Sequence, residues 1–199
     1  FEDARPRKPE SVARMVGSVV GGVDRFSQVV ESPGSYAGDS SALGPELGAS
    51  VALLLGRQVG LAIELLGTSA PRFEGALLAT FGVRPLTVGV GAAAATAERV
   101  IEDDVHRSLL VVPTVSVSTR LGPEDGTAFD AAIAGGWTPA LTRGALRLGV
   151  VPPGESVRLR AGLEGRIRSA RFVQQESERL LAATDLSVLA ELGVVVGGW

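Results

Sequence analysis

Apolar and polar residues alternate with a period of two along most of this chain, which is the spacing of β-strands rather than of helices. The clearest stretch is 156–172, where Val157 and Leu159 fall on one face and Arg158 and Arg160 on the other. The same alternation recurs in 51–55, 59–66, 77–84, 86–93, 115–120, 129–137, 146–150 and 185–196.

Turn signals rich in Gly and Pro separate these segments. They predict nine strands from about Leu43 onward and a tenth, weaker one at 12–24. The connectors alternate in length: short ones fall at 56–58, 84–86, 122–126 and 152–155, and longer ones at 25–42, 67–73, 97–107 and 173–180, with 138–140 as a short exception. An even strand number with such connectors is typical of an up-and-down barrel. We therefore predict an all-β, closed antiparallel barrel of about ten strands (8–10) over residues 12–199, preceded by an N-terminal extension, 1–11.

The composition favours a barrel that spans a membrane. Mean hydropathy is +0.27, yet the longest charge-free run, Pro85–Ala97, is shorter than the roughly 18 residues of a spanning helix. The polar face is rich in Gly, Ala, Ser and Thr, as the inside of a narrow barrel requires. Aromatic residues fall at predicted strand ends (Phe73, Trp137, Phe172 and Trp199), with Phe81 and Phe129 nearer the middle. The alternative is a soluble, lipocalin-like barrel whose apolar face points inward.

Several function classes are excluded by composition. The chain has no cysteine, which excludes disulfide scaffolds and thiol chemistry. Its net charge of −3 offers no basic face for nucleic acid, although 19 residues are basic and Lys8 is the single lysine among them. The first residue is Phe1 rather than Met, from which we expect an exported protein whose signal peptide has been removed.

The closing strand carries the most specific motif. Leu192, Val194 and Val196 alternate up to a terminal aromatic, Trp199. This resembles the C-terminal signal read by the outer-membrane assembly machinery, in which the last residue is usually Phe. From about Leu43 to its end, the chain resembles bacterial outer-membrane β-barrel proteins in the broad OmpA/OmpX-like sense. The resemblance implies residence in the outer membrane of a Gram-negative-type bacterium, in contact with lipid, lipopolysaccharide and the assembly machinery.

An inward polar face makes the second half of the lumen rich in charge. Buried charges at such a density must pair. Counting from the turns, we expect Arg168 to face Asp185 and Glu164 to come close to Arg143. The predicted lumen network consists of Asp130, Arg147, Arg158, Arg160, Glu164, Arg166, Arg168, Asp185 and Glu191. These pairs would fill a narrow barrel, whereas the alternative is a small anion-selective pore lined by Arg.

The densest polar cluster, 98–108, lies in a predicted outer loop. Glu102, Asp103 and Asp104 are weak candidates for a cation site, because carboxylate oxygens suit Ca²⁺. A solvated loop explains the same charges, so we predict no metal and no cofactor.

The same cluster contains His106 and Ser108, an H-x-S pair similar to that of outer-membrane lipid A deacylases. A Ser–His pair needs an acid on a neighbouring strand to orient the imidazole. The next acids, Glu124 and Asp125, fall at the opposite rim of the predicted barrel. We therefore expect no enzyme activity from this pair.

The function that follows is structural. We expect a membrane anchor or the membrane subunit of a larger envelope assembly, with Glu31–Ser41 and Glu98–Arg107 as contact surfaces for other envelope proteins. A small pore is the alternative, and a soluble binder the third. If the faces are assigned correctly, Leu163→Arg should block assembly and Gly162→Ser should be tolerated.

Overall fold

The structure is a closed, ten-stranded antiparallel barrel. The computed structural model describes residues 13–32, 35–55, 59–68, 72–83, 85–101, 104–123, 126–154, 156–174 and 179–196. These described residues form β1 (Ala13–Ser32), β2 (Ser35–Leu55), β3 (Val59–Thr68), β4 (Phe73–Val83), β5 (Leu86–Ile101), β6 (Asp104–Leu121), β7 (Ala128–Trp137), β8 (Leu141–Val151), β9 (Val157–Gln174) and β10 (Arg179–Val196). Each strand pairs with the next, and β1 pairs with β10. The predicted fold is confirmed, whereas the extension predicted at 1–11 lies outside the described residues.

The stagger of the strands determines the width of the barrel. Followed from Ser27 through every strand in turn, the ladder returns to β1 at Gly17, ten residues from its start. With a rise of about 3.3 Å per residue and strands about 4.8 Å apart, this stagger tilts the strands by about 35° and gives a Cα radius of about 9 Å. Side chains can fill an interior of this width.

The apolar face of the sheet points outward. Leu159 and Leu163 on β9 are 71% and 62% exposed, and Val188 on β10 is 64% exposed. On the opposite face of the same strands, Glu164 and Glu191 are each 1% exposed. This arrangement is that of a membrane barrel and the reverse of the soluble, lipocalin-like alternative.

The two ends of the barrel differ. One end, which we call the hairpin rim, carries the connections 33–34, 69–72, 102–103, 138–140 and 175–178; the other, the terminal rim, is where β1 begins and β10 ends. Along β9 the outward residues are apolar from Val157 to Ile167. At the tilt given above this is a band about 27 Å tall, close to the thickness that lipid requires.

Aromatic side chains mark both edges of this band. Phe73 and Trp137 face outward at the hairpin rim and are 44% and 67% exposed. Phe81 and Phe129, which the sequence placed nearer the middle of strands, lie at the terminal rim and are 48% and 59% exposed. That placement was wrong because β4 ends at Val83 and β7 begins at Ala128.

The long connectors predicted at the hairpin rim are wrong. Most of 25–42 and 97–107 is paired strand, as are 173–174 and 179–180, and only 69–72 separates β3 from β4. β1 and β2 have 20 and 21 residues, about twice what a tilted strand needs to cross a bilayer. Pairing continues past the apolar band, as in Glu98 opposite Arg107, because it satisfies the backbone groups of both strands. The outer contact surfaces expected as loops are therefore largely β-hairpins.

The longest connections between described strands lie at the terminal rim instead, at 122–127 and 152–156. Gly122 begins the first of them with φ of +137°, a conformation that only glycine adopts without strain. No α-helix in the described part of the chain is long and apolar enough to cross a membrane.

Close strand packing makes Gly162 a sensitive position, contrary to the tolerance expected from sequence. A Cβ added there would lie 2.5 Å from the Leu148 carbonyl oxygen and 3.2 Å from Glu191 Oε2. At Gly165, three residues along on β9, nothing lies within 4 Å of an added Cβ.

We expect Gly162→Ala to lower the free energy of unfolding by about 1–3 kcal/mol, because the Leu148 backbone must shift. Gly165→Ala is the matched control and should change stability little. Urea unfolding in lipid vesicles, followed by tryptophan fluorescence, measures both. Equal stability of the two variants would mean that β8 and β9 do not pack as described.

Candidate functional site

The lumen is the chemically richest part of the described chain. Among the described side chains, seven arginines and seven carboxylates form one connected set of ion pairs no longer than 4.0 Å, which we call the lumen network. Its members are Arg72, Arg120, Arg143, Arg147, Arg160, Arg166, Arg168, Asp24, Glu64, Glu74, Asp130, Glu164, Asp185 and Glu191. The network runs from the hairpin rim to the terminal rim.

At the hairpin rim the network is anchored by Arg72, which immediately precedes β4. Its guanidinium lies 3.2 Å from Asp24 Oδ2 on β1 and also contacts Asp185 on β10. Arg168 donates from Nε to the other oxygen of Asp185 at 2.7 Å. The ring of Phe26 covers the Arg72 guanidinium, 4.4 Å from its central carbon. One arginine thus ties three parts of the barrel wall together.

In the middle of the lumen, contacts cross from one wall to the other. Arg143 on β8 lies 2.6 Å from Glu74 on β4, and Arg147 lies 3.2 Å from Glu64 on β3. Arg168 connects this layer to the hairpin rim through a 3.9 Å contact with Glu74. These long side chains span the interior toward β3 and β4.

The next layer surrounds two carboxylates that are almost completely buried, Glu164 and Glu191. Arg147 lies 3.0 Å from Glu164 and 3.6 Å from Glu191, so it contacts carboxylates on three strands. Arg166 makes a second contact with Glu164, and Arg160 a second contact with Glu191. Each buried carboxylate therefore has two arginine partners, which offsets the cost of removing it from water.

The network ends near the terminal rim at Asp130. Arg160 lies 3.1 Å and Arg120 3.4 Å from its carboxylate. Arg158 also points inward and donates from Nε to the Gly154 carbonyl at 2.8 Å.

The arrangement is electrically balanced and tightly filled. Seven positive and seven negative side chains leave the lumen network with no net formal charge. A cavity of about 20 Å³ lies beside Asp24, Glu46, Arg72 and Ser187. This volume holds about one water molecule. Small inward side chains on β4, β5 and β6, such as the buried Ala76, leave room for the arginines of β8 and β9.

Eight of the nine lumen residues singled out from sequence lie in the lumen network, and Arg158 has the carbonyl contact given above. The expected proximity of Glu164 to Arg143 is wrong: Glu164 lies opposite Arg147, because the β8–β9 hairpin is centred about two residues further along than its Pro-rich turn indicates. Sequence reasoning missed Asp24, Glu64, Arg72, Glu74 and Arg120 as members, and it gave Arg143 a wrong partner. Alternation could have placed Glu64 and Glu74 inside, whereas Arg72 lies before a strand and had no such signal.

The other candidate residues are placed as follows. Glu102 and Asp103 lie outside the described residues, and Asp104 is the first residue of β6. His106 and Ser108 are part of β6 rather than of a loop, opposite Arg99 and Ala97. The described side chains contain no group of three or more metal-ligating residues. Glu124 and Asp125, the acids weighed against the H-x-S pair, also lie outside the described range.

The predicted assembly signal lies on the lipid-facing side of β10. Leu192, Val194 and Val196 are 66%, 38% and 36% exposed and point outward. Trp199 lies outside the described residues.

Comparison with known proteins gives a fold but no family. No family model and no curated protein matches the sequence. The outer membrane protease OmpT from Escherichia coli matches in structure with a TM-score of 0.59 at 8% identity, over 98% of this chain and 99% of that one.

Two further solved structures of bacterial proteins match with much lower TM-scores. Neisserial surface protein A has a TM-score of 0.27 at 14% identity, over 90% of this chain and 96% of that one. The Pseudomonas putida toluene transporter TodX has a TM-score of 0.31 at 9% identity, over 96% and 91%. From the closed barrel and the OmpT likeness together, the chain has the fold of a bacterial outer-membrane β-barrel protein.

Proposed function

We propose that this protein is an integral outer-membrane barrel with a structural role, acting as an anchor or as the membrane subunit of a larger envelope assembly. The observation that carries the proposal is the lumen network, which fills the interior with matched charge. Contacts across the lumen, such as that of Arg147 with Glu64, hold opposite walls of the barrel together. A filled, rigid barrel suits an anchor better than a conduit.

The geometry argues against transport through the lumen. A Cα radius of about 9 Å leaves space for side chains, whereas wide aqueous channels need about 16 strands. The alternative, an anion-selective pore, needs arginines whose charge is available to passing ions. Here Arg143, Arg147 and Arg166 each lie within 4.0 Å of at least two carboxylates.

Location and contacts belong to the same proposal. The outward apolar band faces the lipid and lipopolysaccharide of the outer membrane, with the terminal rim toward the periplasm. The β1–β2 and β5–β6 hairpins, which include Glu31–Ser41 and Glu98–Arg107, extend past the band and offer surfaces to other envelope proteins. The alternating residues of β10 would meet the assembly machinery. The likeness to OmpT is one of fold, at 8% sequence identity. Because a shared fold does not imply a shared activity, our proposal does not include proteolysis.

Planar-bilayer recordings test the closed lumen. We expect no stable openings from the wild-type barrel, because lumen side chains occupy the path. The double variant Arg143→Ala/Arg147→Ala, which removes two crossing side chains, serves as the opened control.

Gel mobility with and without boiling shows that each sample is a folded barrel before recording. Stable anion-selective openings from the folded wild-type protein would contradict the closed lumen and favour the pore. A wild-type protein that stays in solution without detergent and shows no mobility shift would contradict the membrane location.

A further inference from the structure

Among the residues whose exposure the structure describes, two outward arginines differ from those of the lumen. Arg25 on β1 and Arg171 on β9 point away from the interior and are exposed. Within the part of the chain that the structure describes, neither forms an ion pair, whereas every arginine of the lumen network contacts a carboxylate. Both lie on the hairpin-rim side of the apolar band, where a guanidinium meets lipid headgroups rather than acyl chains.

Arg171 differs from Arg25 because it lines a groove, which we call the rim groove. The rim groove is about 340 Å³ in volume and lies on the outward surface between the β7–β8 turn and β9. Its lining consists of Trp137, Pro139, Leu141, Thr142, Ser169 and Arg171. It thus combines one guanidinium, two hydroxyls and an indole at the edge of the lipid-facing band.

The walls of the rim groove are held in place by hydrogen bonds. The Thr138 N–H donates to the Leu141 carbonyl at 2.7 Å, and the Leu141 N–H donates back to Thr138 at 3.3 Å. The Arg171 N–H donates to the Ala140 carbonyl at 2.9 Å and so ties the turn to β9. Thr142 lies directly opposite Ser169 in the β8–β9 ladder. The backbone that carries the polar side chains is therefore held in place before any ligand arrives, which lowers the cost of binding.

Below the rim groove, toward the middle of the band, the outward surface is missing side chains. Gly135 on β7 lies opposite Gly144 on β8, in the next outward row after Trp137 and Thr142. Gly165 on β9 follows one row further down, and nothing lies within 4 Å of a Cβ built there. At Gly144 the Ile167 side chain takes part of this space, since its Cγ2 lies 3.2 Å from a Cβ built there. The glycines therefore leave a trough that is shallow at Gly144 and open at Gly165, and that descends from the polar groups into the apolar band.

We propose that the rim groove binds the phosphate group of an outer-leaflet lipid, whose acyl chain lies along the glycine trough. The guanidinium of Arg171 pairs with the phosphate, and the hydroxyls of Thr142 and Ser169 donate to its oxygens. The indole of Trp137 packs at the interface, where amphipathic rings are favoured. The trough gives a lipid an advantage over free phosphate. This inference rests on the membrane location proposed above.

The test uses quenching of Trp137 by lipids with brominated acyl chains, in a Trp199→Phe background that leaves one tryptophan. The folded protein is placed in bilayers of phosphatidylcholine that contain either brominated phosphatidic acid or brominated phosphatidylcholine. We expect phosphatidic acid to be enriched at Trp137 by about fivefold, the contribution of one arginine near an anionic surface. Arg171→Gln should abolish this enrichment, and Gly165→Leu, which fills the open part of the trough, should reduce it.

Arg25→Gln is the matched control, because Arg25 is also an outward arginine but lies between Leu43 and Leu186 in the ladder. It should leave the enrichment unchanged. Equal quenching by both brominated lipids would overturn the lipid site and leave the membrane location intact. Absence of quenching by either lipid would overturn the membrane location together with the site. If added inorganic phosphate abolished the enrichment of phosphatidic acid at Trp137, the groove would be a site for phosphate rather than for a lipid, and the lipid proposal would be overturned.

Discussion

Leu163→Arg is expected to prevent stable insertion of the barrel. Leu163 lies in the middle of the apolar stretch of β9 and is 62% exposed on the outward face, so its replacement places a charge in the hydrocarbon region. A charge on the lipid face near the bilayer midplane costs about 2–4 kcal/mol of folding free energy. Urea unfolding in vesicles measures this loss, and gel mobility without boiling measures the folded fraction.

Val157→Arg is the control for depth. Val157 is the first residue of β9, faces outward like Leu163 and is 59% exposed, but it lies at the terminal rim. The cost there should fall to about 0–1 kcal/mol, because the guanidinium reaches the interface. If both variants assembled equally well, the outward surface would not be facing lipid.

Alternation predicted most of the fold because successive residues of a β-strand point to opposite faces of the sheet. The sequence therefore shows directly which residues share a face. The faces of β9 and β10 follow from it residue by residue. Strand ends were less predictable: the polar segment 97–107 has the composition of a loop, yet most of it is paired. A polar composition does not distinguish a loop from a paired hairpin that extends past the membrane.

The lumen pairs divide into two kinds. Asp185 and Arg168 are neighbours across one hairpin, so counting from the turn was enough to predict them. The contact of Arg147 with Glu64 joins β8 to β3 and depends on closure, stagger and radius together. No local pattern encodes that distance. Sequence therefore predicts which charges point inward more readily than which of them meet.

The geometry also explains why the chain relies on arginine. Arg147 contacts carboxylates on β3, β9 and β10 through one planar guanidinium with five donors. A lysine ammonium is a compact point charge and could not match several carboxylates across a lumen in the same way. The outward face explains the positive mean hydropathy of the chain, because its apolar residues cover the outside of the barrel instead of forming a thick core.

Arg147→Met is expected to lower the free energy of unfolding by about 3–5 kcal/mol, the typical cost of removing one partner from a buried ion pair. Glu64, Glu164 and Glu191 all lose a contact with Arg147, and the lumen network acquires a net negative charge. Methionine replaces the aliphatic stem of arginine but not its guanidinium, so the loss reports the charge and contacts of the guanidinium more than the packing of the stem. Urea unfolding in vesicles provides the measurement.

Two further variants separate charge imbalance from a general effect of losing arginine. Arg25→Met makes the same change on the outward face, at an exposed side chain outside the rim groove and without an ion pair among the described residues, and should alter stability by less than about 0.5 kcal/mol. Adding Glu64→Gln to Arg147→Met restores neutrality and should recover part of the loss. An Arg147→Met barrel as stable as wild type, or a double variant with no recovery, would mean that the lumen network does not hold the walls together.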